Sequence, residues 1–221
     1  MIRTTDQLIE RIAEELIWRR KELTELRAMA QEYKGQLRSR VVIRAATALL
    51  YAHWEGFVKK VSSYYLEYVA SQRLPYRRLT ANFIALKLKS KFVELSASEK
   101  ISGGNILADF FCTSLDKQSN IPYRNVVDTK SNLSSNVLID ILASLGLDQA
   151  PFSTRLHFID SNLVNPRNHI AHGEEIDINI DEYLQLHDDV ISLIDTFRNE
   201  IENSSILRRF DNTPKDAPAI L

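Results

Sequence analysis

The sequence predicts an all-α fold, an up-and-down helical bundle that opens with two long helices. Glycine and proline are scarce, with six of each in 221 residues, whereas a turn-rich β fold needs more of both. Apolar residues recur every three or four positions through several long segments, and those segments begin with capping residues and end near glycine. With 44% apolar and 26% charged residues, the chain is typical of a globular protein that buries its own core.

The first predicted helix begins after Thr4 and ends near Gly35. Thr4 and Gln7 have the spacing of a capping box, in which each side chain accepts a hydrogen bond from the other residue's backbone amide. One apolar stripe follows, formed by Leu8, Ile12, Leu16, Leu23, Leu26, Ala30 and Tyr33. The rest of the helix is dense with charge at helical spacing, which predicts a solvated face. That face contains Glu14, Glu15, Arg19, Arg20, Lys21, Glu22 and Glu25.

The second predicted helix, from about residue 36 to residue 72, is apolar nearly all round between Val41 and Val58. A helix without a polar face packs on several sides, so we expect it at the centre of the bundle. A row of small residues would let a partner helix approach closely. The row consists of Ala45, Ala48, Ala52 and Gly56. His53 and Glu55 interrupt the apolar run, and a buried glutamate is costly unless it is paired.

We expect one domain over residues 1–204, interrupted by a less regular insertion at about residues 77–125. The insertion contains two short helical patterns and a Gly103-Gly104 turn. Residues 205–221 contain two prolines and predict a flexible C-terminal tail.

Helical periodicity returns after the insertion. Residues 134–145 carry an apolar stripe with a serine cap before it and Gly146 after it. A further helical piece covers about residues 154–163. The last long helix begins with a second capping box, Asn179 and Glu182, and continues to about residue 201.

A short predicted helix between these two carries the polar cluster of most interest. Asn165-Pro166 supplies a capping residue followed by proline at the first helical position, and Gly173 marks the end. Between them lies the sequence Arg167-Asn168-His169-Ile170-Ala171-His172. Asn168 and His172 share a helix face, and the long side chain of Arg167 can swing towards it. His172 stands at the helix C-terminus, where the macrodipole favours an imidazolium.

These residue types suit phosphodiester chemistry without a metal. A histidine can take the proton from a ribose 2′-hydroxyl or give one to the leaving oxygen, while an arginine forks onto the phosphate oxygens as negative charge builds up. A capped helix end with a hydrogen-bonded histidine explains the same residues without any chemistry. The residue types alone leave both interpretations open.

Charge is unevenly distributed along the chain. The net charge is −1, but residues 68–93 contain no acidic residue, and residues 174–202 contain ten carboxylates against Arg198. The basic segment contains Arg73, Arg77, Arg78, Lys87, Lys89 and Lys91. With Tyr76 and Phe83 interleaved, this segment could follow an RNA backbone and stack bases, or it could be one exposed helix face.

The chain has one cysteine, Cys112, so it cannot form an intrachain disulfide. It shows neither a secretory signal pattern nor an apolar run near the roughly 20 residues that a membrane span needs. We therefore expect a cytoplasmic protein without membrane attachment.

The motif Arg167-x4-His172 resembles the signature of the HEPN superfamily, which comprises helical-bundle ribonucleases and nucleotide-binding proteins. That signature is an arginine, four to six residues and a histidine, with Asn, Asp or His after the arginine. No other Arg and His in the chain have this spacing. Residues 49–58 and Asp128-Thr129-Lys130-Ser131-Asn132-Leu133 also resemble a bacterial defence or toxin-type subgroup, so the likeness covers about residues 36–197.

The resemblance implies a metal-independent endoribonuclease that cleaves RNA by 2′-hydroxyl transesterification. It also implies a homodimer in which two motifs form one cleft, and a role as a toxin or in antiviral defence, with an antitoxin or defence-system protein as partner. The alternative is an inactive bundle that binds nucleotide, nucleic acid or protein. By carry-over, Arg167 stabilises the phosphate, His172 is the general acid or base, and Asn168 orients the substrate or the histidine.

Three further polar residues are candidates for a supporting role. Some groups of the superfamily use a polar residue from an earlier helix, and here this is Glu55 or His53. His169 is either a third polar group of the site or a core histidine. His169 and His172 could also hold a metal with a nearby glutamate, but a zinc site needs at least three well-placed ligands. We therefore expect neither a metal nor a cofactor.

Overall fold

A computed structural model describes residues 1–96 and 102–213. All regular elements in these two ranges are helical, apart from two isolated β-bridges. The all-α prediction is therefore confirmed. Within the same residues, no helix combines the length and the apolar character that crossing a bilayer requires.

Eight α-helices occur in the described residues. They are α1 (Thr5–Glu32), α2 (Ser39–Ser71), α3 (Ala81–Ser96), α4 (Ser102–Thr113), α5 (Ser135–Leu145), α6 (Leu156–Phe158), α7 (Asn165–Ala171) and α8 (Ile180–Ile206). Two 3₁₀ turns cover Tyr76–Arg78 and Ala150–Arg155. A π-helical segment, Ile159–Val164, joins α6 to α7. Gly103 and Gly104 lie in the first turn of α4, not in the predicted turn.

The three long helices α1, α2 and α8 pack against one another and form the core. As predicted, α2 is central, because it also contacts α7 and the π-helical segment. Phe197 of α8 packs edge-on against Trp54 and Phe57 of α2 and against Phe152. Both predicted capping boxes are present, at the start of α1 and of α8.

Arg19 departs from the predicted solvated face of α1. It is 7% exposed and lies between α1 and α2, where it pairs with Glu15 and donates to the His53 carbonyl. A Cβ on Gly56 would stand 3.1 Å from Arg19 Nη1. Gly56 therefore makes room for this arginine, whereas Ala45 and Ala52 of the predicted small-residue row are exposed.

The C-terminal segment packs against the bundle further along the chain than predicted. Helix α8 continues to Ile206, and Phe210 is buried edge-on against Tyr68 with ring centroids 5.7 Å apart. Asp211 accepts hydrogen bonds from Arg78 and Thr213. Burial acts to raise the pKa of Asp211, but these bonds outweigh it and lower the pKa to about 2. The predicted tail is thus fixed over residues 205–213, while residues 214–221 lie outside the described part.

Candidate functional site

The helix that carries the motif does not begin at a cap. Asn165 was predicted to be the capping residue, but its backbone is helical, with φ −63° and ψ −52°, and it continues the π-helical segment. The Asn165 amide donates to the Asp160 carbonyl, five residues back, as in a π-helix. Pro166 follows and has no amide to donate. Helix α7 therefore continues the π-helical segment and has no capped start.

The end of α7 was predicted correctly. Gly173 has φ 76°, a backbone conformation that glycine adopts without steric cost. Its amide donates to the Ile170 carbonyl, and the Glu174 amide donates to the His169 carbonyl at 2.8 Å, which together form a Schellman cap. His172 is therefore held at the C-cap position of α7, immediately before the chain turns away.

Arg167 is half-buried and has a fixed position. Its guanidinium lies 4.7 Å from the centre of the Tyr51 ring. It donates to the Ser131 carbonyl and to Asn168 Oδ1, both at 2.9 Å. Within the described residues, Arg167 forms no ion pair with a carboxylate. Its partners are neutral, so its positive charge is oriented but not compensated, and an anion would fit there.

The loop before α5 forms one wall of this site. Lys130 and Ser131 both have φ 54°, and such a conformation is uncommon for residues other than glycine. Such a conformation persists only where the surrounding structure holds it. The Asp128 side chain accepts from the Lys130 amide at 2.8 Å. This turn points the Ser131 carbonyl towards Arg167.

Two contacts tie the same loop to α2. The Leu133 amide donates to the Tyr51 hydroxyl, and the Thr129 hydroxyl donates to Glu55 Oε1, each at 2.5 Å. Burial raises the pKa of Tyr51 to about 12; the Leu133 amide and the charge of Arg167 oppose this effect, whereas Glu55 adds to it. Tyr51 therefore stays neutral and supports Arg167 with its ring.

His172 and Asn168 relate differently to Arg167. His172 is exposed, and within the described residues its ring makes no hydrogen bond. It follows Arg167 by five positions, which places the two side chains about 140° apart around the helix. Asn168 accepts a hydrogen bond from Arg167 and so orients that residue. The predicted swing of Arg167 towards His172 does not occur, because Arg167 is held on Tyr51 and Ser131.

His169 is not a core histidine. Its side chain is 40% exposed, and its Nδ1 lies 2.8 Å from Glu174 Oε2. It forms a surface pair that closes the helix end. In the ranges 1–96 and 102–213, no three or more His, Cys, Asp or Glu side chains come together as a metal site would require.

The two supporting candidates on α2 lie on different faces of that helix. They are two positions apart, about 200° around the helix. Glu55 reaches Thr129 and acts on Tyr51, so it belongs to the Arg167 cluster. His53 is 4% exposed, and its Nε2 lies 3.0 Å from Glu22 Oε2 of α1. The structure thus brings Glu55 to the candidate site and places His53 away from it.

The predicted basic segment is partly neutralised and partly buried. Arg77 pairs with Asp116 and Arg78 pairs with Asp211. Arg73 and Lys89 are exposed and Lys87 is half-buried, whereas the side chain of Lys91 lies outside the described residues. The two predicted stacking residues, Tyr76 and Phe83, are 4% and 0% exposed. They belong to the core, so the predicted stacking of bases on them is wrong.

Sequence reasoning missed three residues as members of the site: Tyr51, Thr129 and Ser131. Each lies far from the motif in sequence, and Ser131 contributes its carbonyl, which no residue type reveals. One signal was available, because all three lie in the segments that resemble the HEPN subgroup.

A family model described as RiboL-PSP-HEPN matches residues 14–203. No curated protein and no solved structure gives a significant match. The match covers most of the chain, including α2, the loop before α5 and the Arg167-His172 motif. The coarse functional expectation of such a domain is a ribonuclease or a nucleotide-binding module. The chain therefore belongs to the RiboL-PSP-HEPN family, within the HEPN superfamily whose motif it carries.

Proposed function

We propose that the protein is a metal-independent endoribonuclease. The observation that carries this proposal is the state of Arg167: a half-buried guanidinium, held by a ring and two neutral oxygens, with no carboxylate partner among the described residues. Partly burying a charge without a partner of opposite charge is costly. The arrangement instead favours a bound phosphate, on which the arginine can fork as negative charge builds up in the transition state.

In the proposed reaction, the 2′-oxygen of a ribose attacks the adjacent phosphorus, and the bond from phosphorus to the 5′-oxygen breaks. The products are a 2′,3′-cyclic phosphate and a free 5′-hydroxyl. One proton leaves the 2′-hydroxyl and another reaches the 5′-oxygen, so the step is balanced. The imidazole of His172 moves a proton as general acid or base, Arg167 stabilises the phosphorane, and Asn168 positions Arg167.

The divergence of Arg167 and His172 within one chain supports a composite site. We propose a homodimer in which one copy supplies Arg167 and its partner supplies His172 to the same phosphate. An exposed apolar strip lies beside the site on α2, between the Tyr51 face and the His53 face. It contains Val41, Ala45, Leu49 and Ala52, with Trp18 of α1 at its edge. Val41 is 70% exposed and Trp18 47% exposed, and the alanines allow close helix packing.

A second function is a binding module that has lost catalysis. The exposed His172 ring, which no described residue orients, favours this alternative, because the anion site at Arg167 does not require it. We also propose that the protein is a toxin or phage-defence effector in the cytoplasm with a neutralising partner protein. This proposal follows from the family resemblance.

Incubation of the purified protein with mixed-sequence RNA and total tRNA in the presence of a chelator tests the proposal. We expect cleavage with cyclic-phosphate ends, reduced about 10²- to 10⁴-fold in His172→Ala. Arg167→Ala should lose about 10²- to 10³-fold. His157→Ala, which removes another exposed histidine, is the matched control and should cleave like wild type. Equal activity of all four proteins, or activity that the chelator abolishes, would refute the mechanism.

Mixing the two inactive variants tests the composite site. A dimer of one Arg167→Ala copy and one His172→Ala copy retains one site with both residues intact, so mixing should restore part of the activity. If each copy contained a complete site, both sites would be damaged and mixing would restore none. Leu49→Glu should dissociate the dimer in sedimentation and abolish cleavage, whereas Ile206→Glu, on another exposed apolar residue, should do neither.

A further inference from the structure

An open groove follows the C-terminal half of α2, where the loop at residues 123–125 faces that helix. Its lining consists of Arg19, Gly56, Lys59, Lys60, Ser63, Tyr64, Glu67, Tyr123, Arg124 and Asn125. Neither the sequence patterns nor the family motif points to these residues, because their cations come from segments far apart in the chain.

The groove has an excess of uncompensated positive charge. Lys59, Lys60 and Arg124 are exposed, and within the described residues none of them pairs with a carboxylate. Arg19 at the base is already paired with Glu15. Glu67 lies 3.6 Å from the amino group of Met1. Three free cations along one groove complement a chain of phosphates.

Two tyrosines stand beside the cations. The Lys60 ammonium lies 5.5 Å from the centre of the Tyr64 ring, and the Arg124 guanidinium lies 5.7 Å from that of Tyr123. Both rings are half-buried and so are held in place while part of each ring stays open. Alternating cations and aromatic rings are the combination that binds single-stranded nucleic acid, because phosphates meet the cations and unstacked bases meet the rings.

The groove adjoins the candidate site. Gly56 directly follows Glu55 in α2, and Asn125 precedes Thr129 by four residues in the loop. Glu55 and Thr129 are joined by a hydrogen bond of 2.5 Å. The Gly56–Asn125 end of the groove is therefore one residue along α2 and four residues along the loop from the contact that ties the loop to α2.

We propose that this groove binds single-stranded RNA and guides it to Arg167, with Lys59, Lys60 and Arg124 on the phosphates and Tyr123 stacked on a base. The cleavage of the bound strand at Arg167 rests on the proposed function, but binding to the groove can be measured without cleavage. It assigns RNA binding to this groove and not to the segment Arg73–Lys91.

Binding is measured on the full-length His172→Ala protein with a short fluorescein-labelled RNA of mixed sequence, single-stranded or as a duplex. Exchanging Lys59, Lys60 and Arg124 for glutamine should weaken single-strand binding by more than tenfold. The slope of log affinity against log salt should fall by about 2, since each lost phosphate contact contributes about 0.7. The control exchanges Arg73, Lys87 and Lys89 for glutamine, which removes the same charge, and should bind like the parent.

Two variants of Tyr123 test the stacking contact. Tyr123→Ala should weaken single-strand binding about tenfold, and Tyr123→Phe should bind like the parent, because the ring and not the hydroxyl makes the contact. Duplex RNA, whose bases are unavailable for stacking, should respond to neither change.

The results separate this inference from the proposed function. Equal weakening by the two triple variants, or binding by the groove variant that equals the parent, would overturn the inference, even if His172-dependent cleavage is observed. Groove-dependent binding in a protein that cleaves no RNA would support the inference and refute the ribonuclease. In a cleaving protein, the groove variant should raise KM and leave kcat near wild type.

Discussion

Arg19 and Arg167 both pack against α2, on different faces, and they differ in burial and in charge compensation. Arg19 is almost completely buried, and Glu15 of its own helix compensates its charge. Arg167 is half-buried, and its partners are two neutral oxygens and the Tyr51 ring. Burial lowers the pKa of Arg19, and the negative charge of Glu15 opposes this shift. One arginine is thus satisfied by the fold, while the other is positioned by the fold and left for an external anion.

The histidines near the two arginines also differ in their surroundings. His53 is buried beside Arg19 and faces Glu22, whereas His172 is exposed at the end of α7. Polar residues that are buried against a partner of opposite charge belong to the packing of the fold. Polar residues that are accessible and lack a partner typify a binding or catalytic site. Changes to Arg19 and His53 should therefore affect stability, and changes to Arg167 and His172 should affect activity.

The largest effect on stability is expected from Arg19→Met. Methionine fills much of the same volume, but Glu15 loses its partner at a mostly buried position. We expect a loss of about 3 kcal/mol in the free energy of unfolding, measured with urea. The control is Arg11→Met, which breaks an exposed pair with Glu14 on the same helix and should cost less than about 1 kcal/mol. Similar losses in the two variants would contradict the assigned role of Arg19.

A smaller loss is expected from Tyr51→Phe. The change keeps the ring under Arg167 but removes the oxygen that accepts from the buried Leu133 amide, at a cost of about 1–3 kcal/mol. Because Leu133 anchors the loop that carries Ser131, RNA cleavage should also fall, through kcat.

Tyr65→Phe serves as the control for Tyr51→Phe, since it removes a buried hydroxyl that bonds to Ser204. It should leave kcat unchanged. If both phenylalanine variants reduced kcat equally, the loop would not be the link between Tyr51 and the site.

The smallest effect concerns pH. Burial lowers the pKa of His53 below 6.5, although Glu22 opposes the shift. The unfolded chain then takes up a proton at a higher pH than the folded protein does. The contribution of His53 to the free energy of unfolding is fully present above pH 6.5. It declines as the pH falls from 6.5 towards the pKa of His53 in the folded protein.

His53→Gln should flatten this decline in urea unfolding measured at several pH values. Another histidine variant, His157→Gln, changes an exposed residue and should leave the decline as in wild type. A decline that is identical in all three proteins would show that His53 is not its source.

Local patterns predicted the helical fold well. The capping boxes of Thr4 and Asn179 and the glycine stop at Gly173 depend on neighbouring residues, so the sequence contains them. The burial of Arg19 could not be predicted, because it depends on Gly56 in another helix. Asn165 was misread as a cap, since the π-helical segment before it arises from packing and not from a local residue type.

The sequence predicted only the part of the candidate site that lies within one short segment. Arg167, Asn168 and His172 lie within one short segment, and a motif of residue types identifies them. Tyr51 and Ser131 come from remote segments, and they determine that Arg167 is fixed and uncompensated. The sequence also could not decide between His53 and Glu55, because the choice depends on which face of α2 meets α7.

The central claim is that the charge of Arg167 is kept for an anion, and Arg167→Met tests it most directly. Urea unfolding is measured with and without a 2′-deoxy oligonucleotide, which binds but lacks the attacking hydroxyl. We predict a free energy of unfolding within about 1 kcal/mol of wild type without the oligonucleotide, and a smaller stabilisation than wild type when it is added. A loss as large as that of Arg19→Met, with undiminished stabilisation by the oligonucleotide, would contradict the claim.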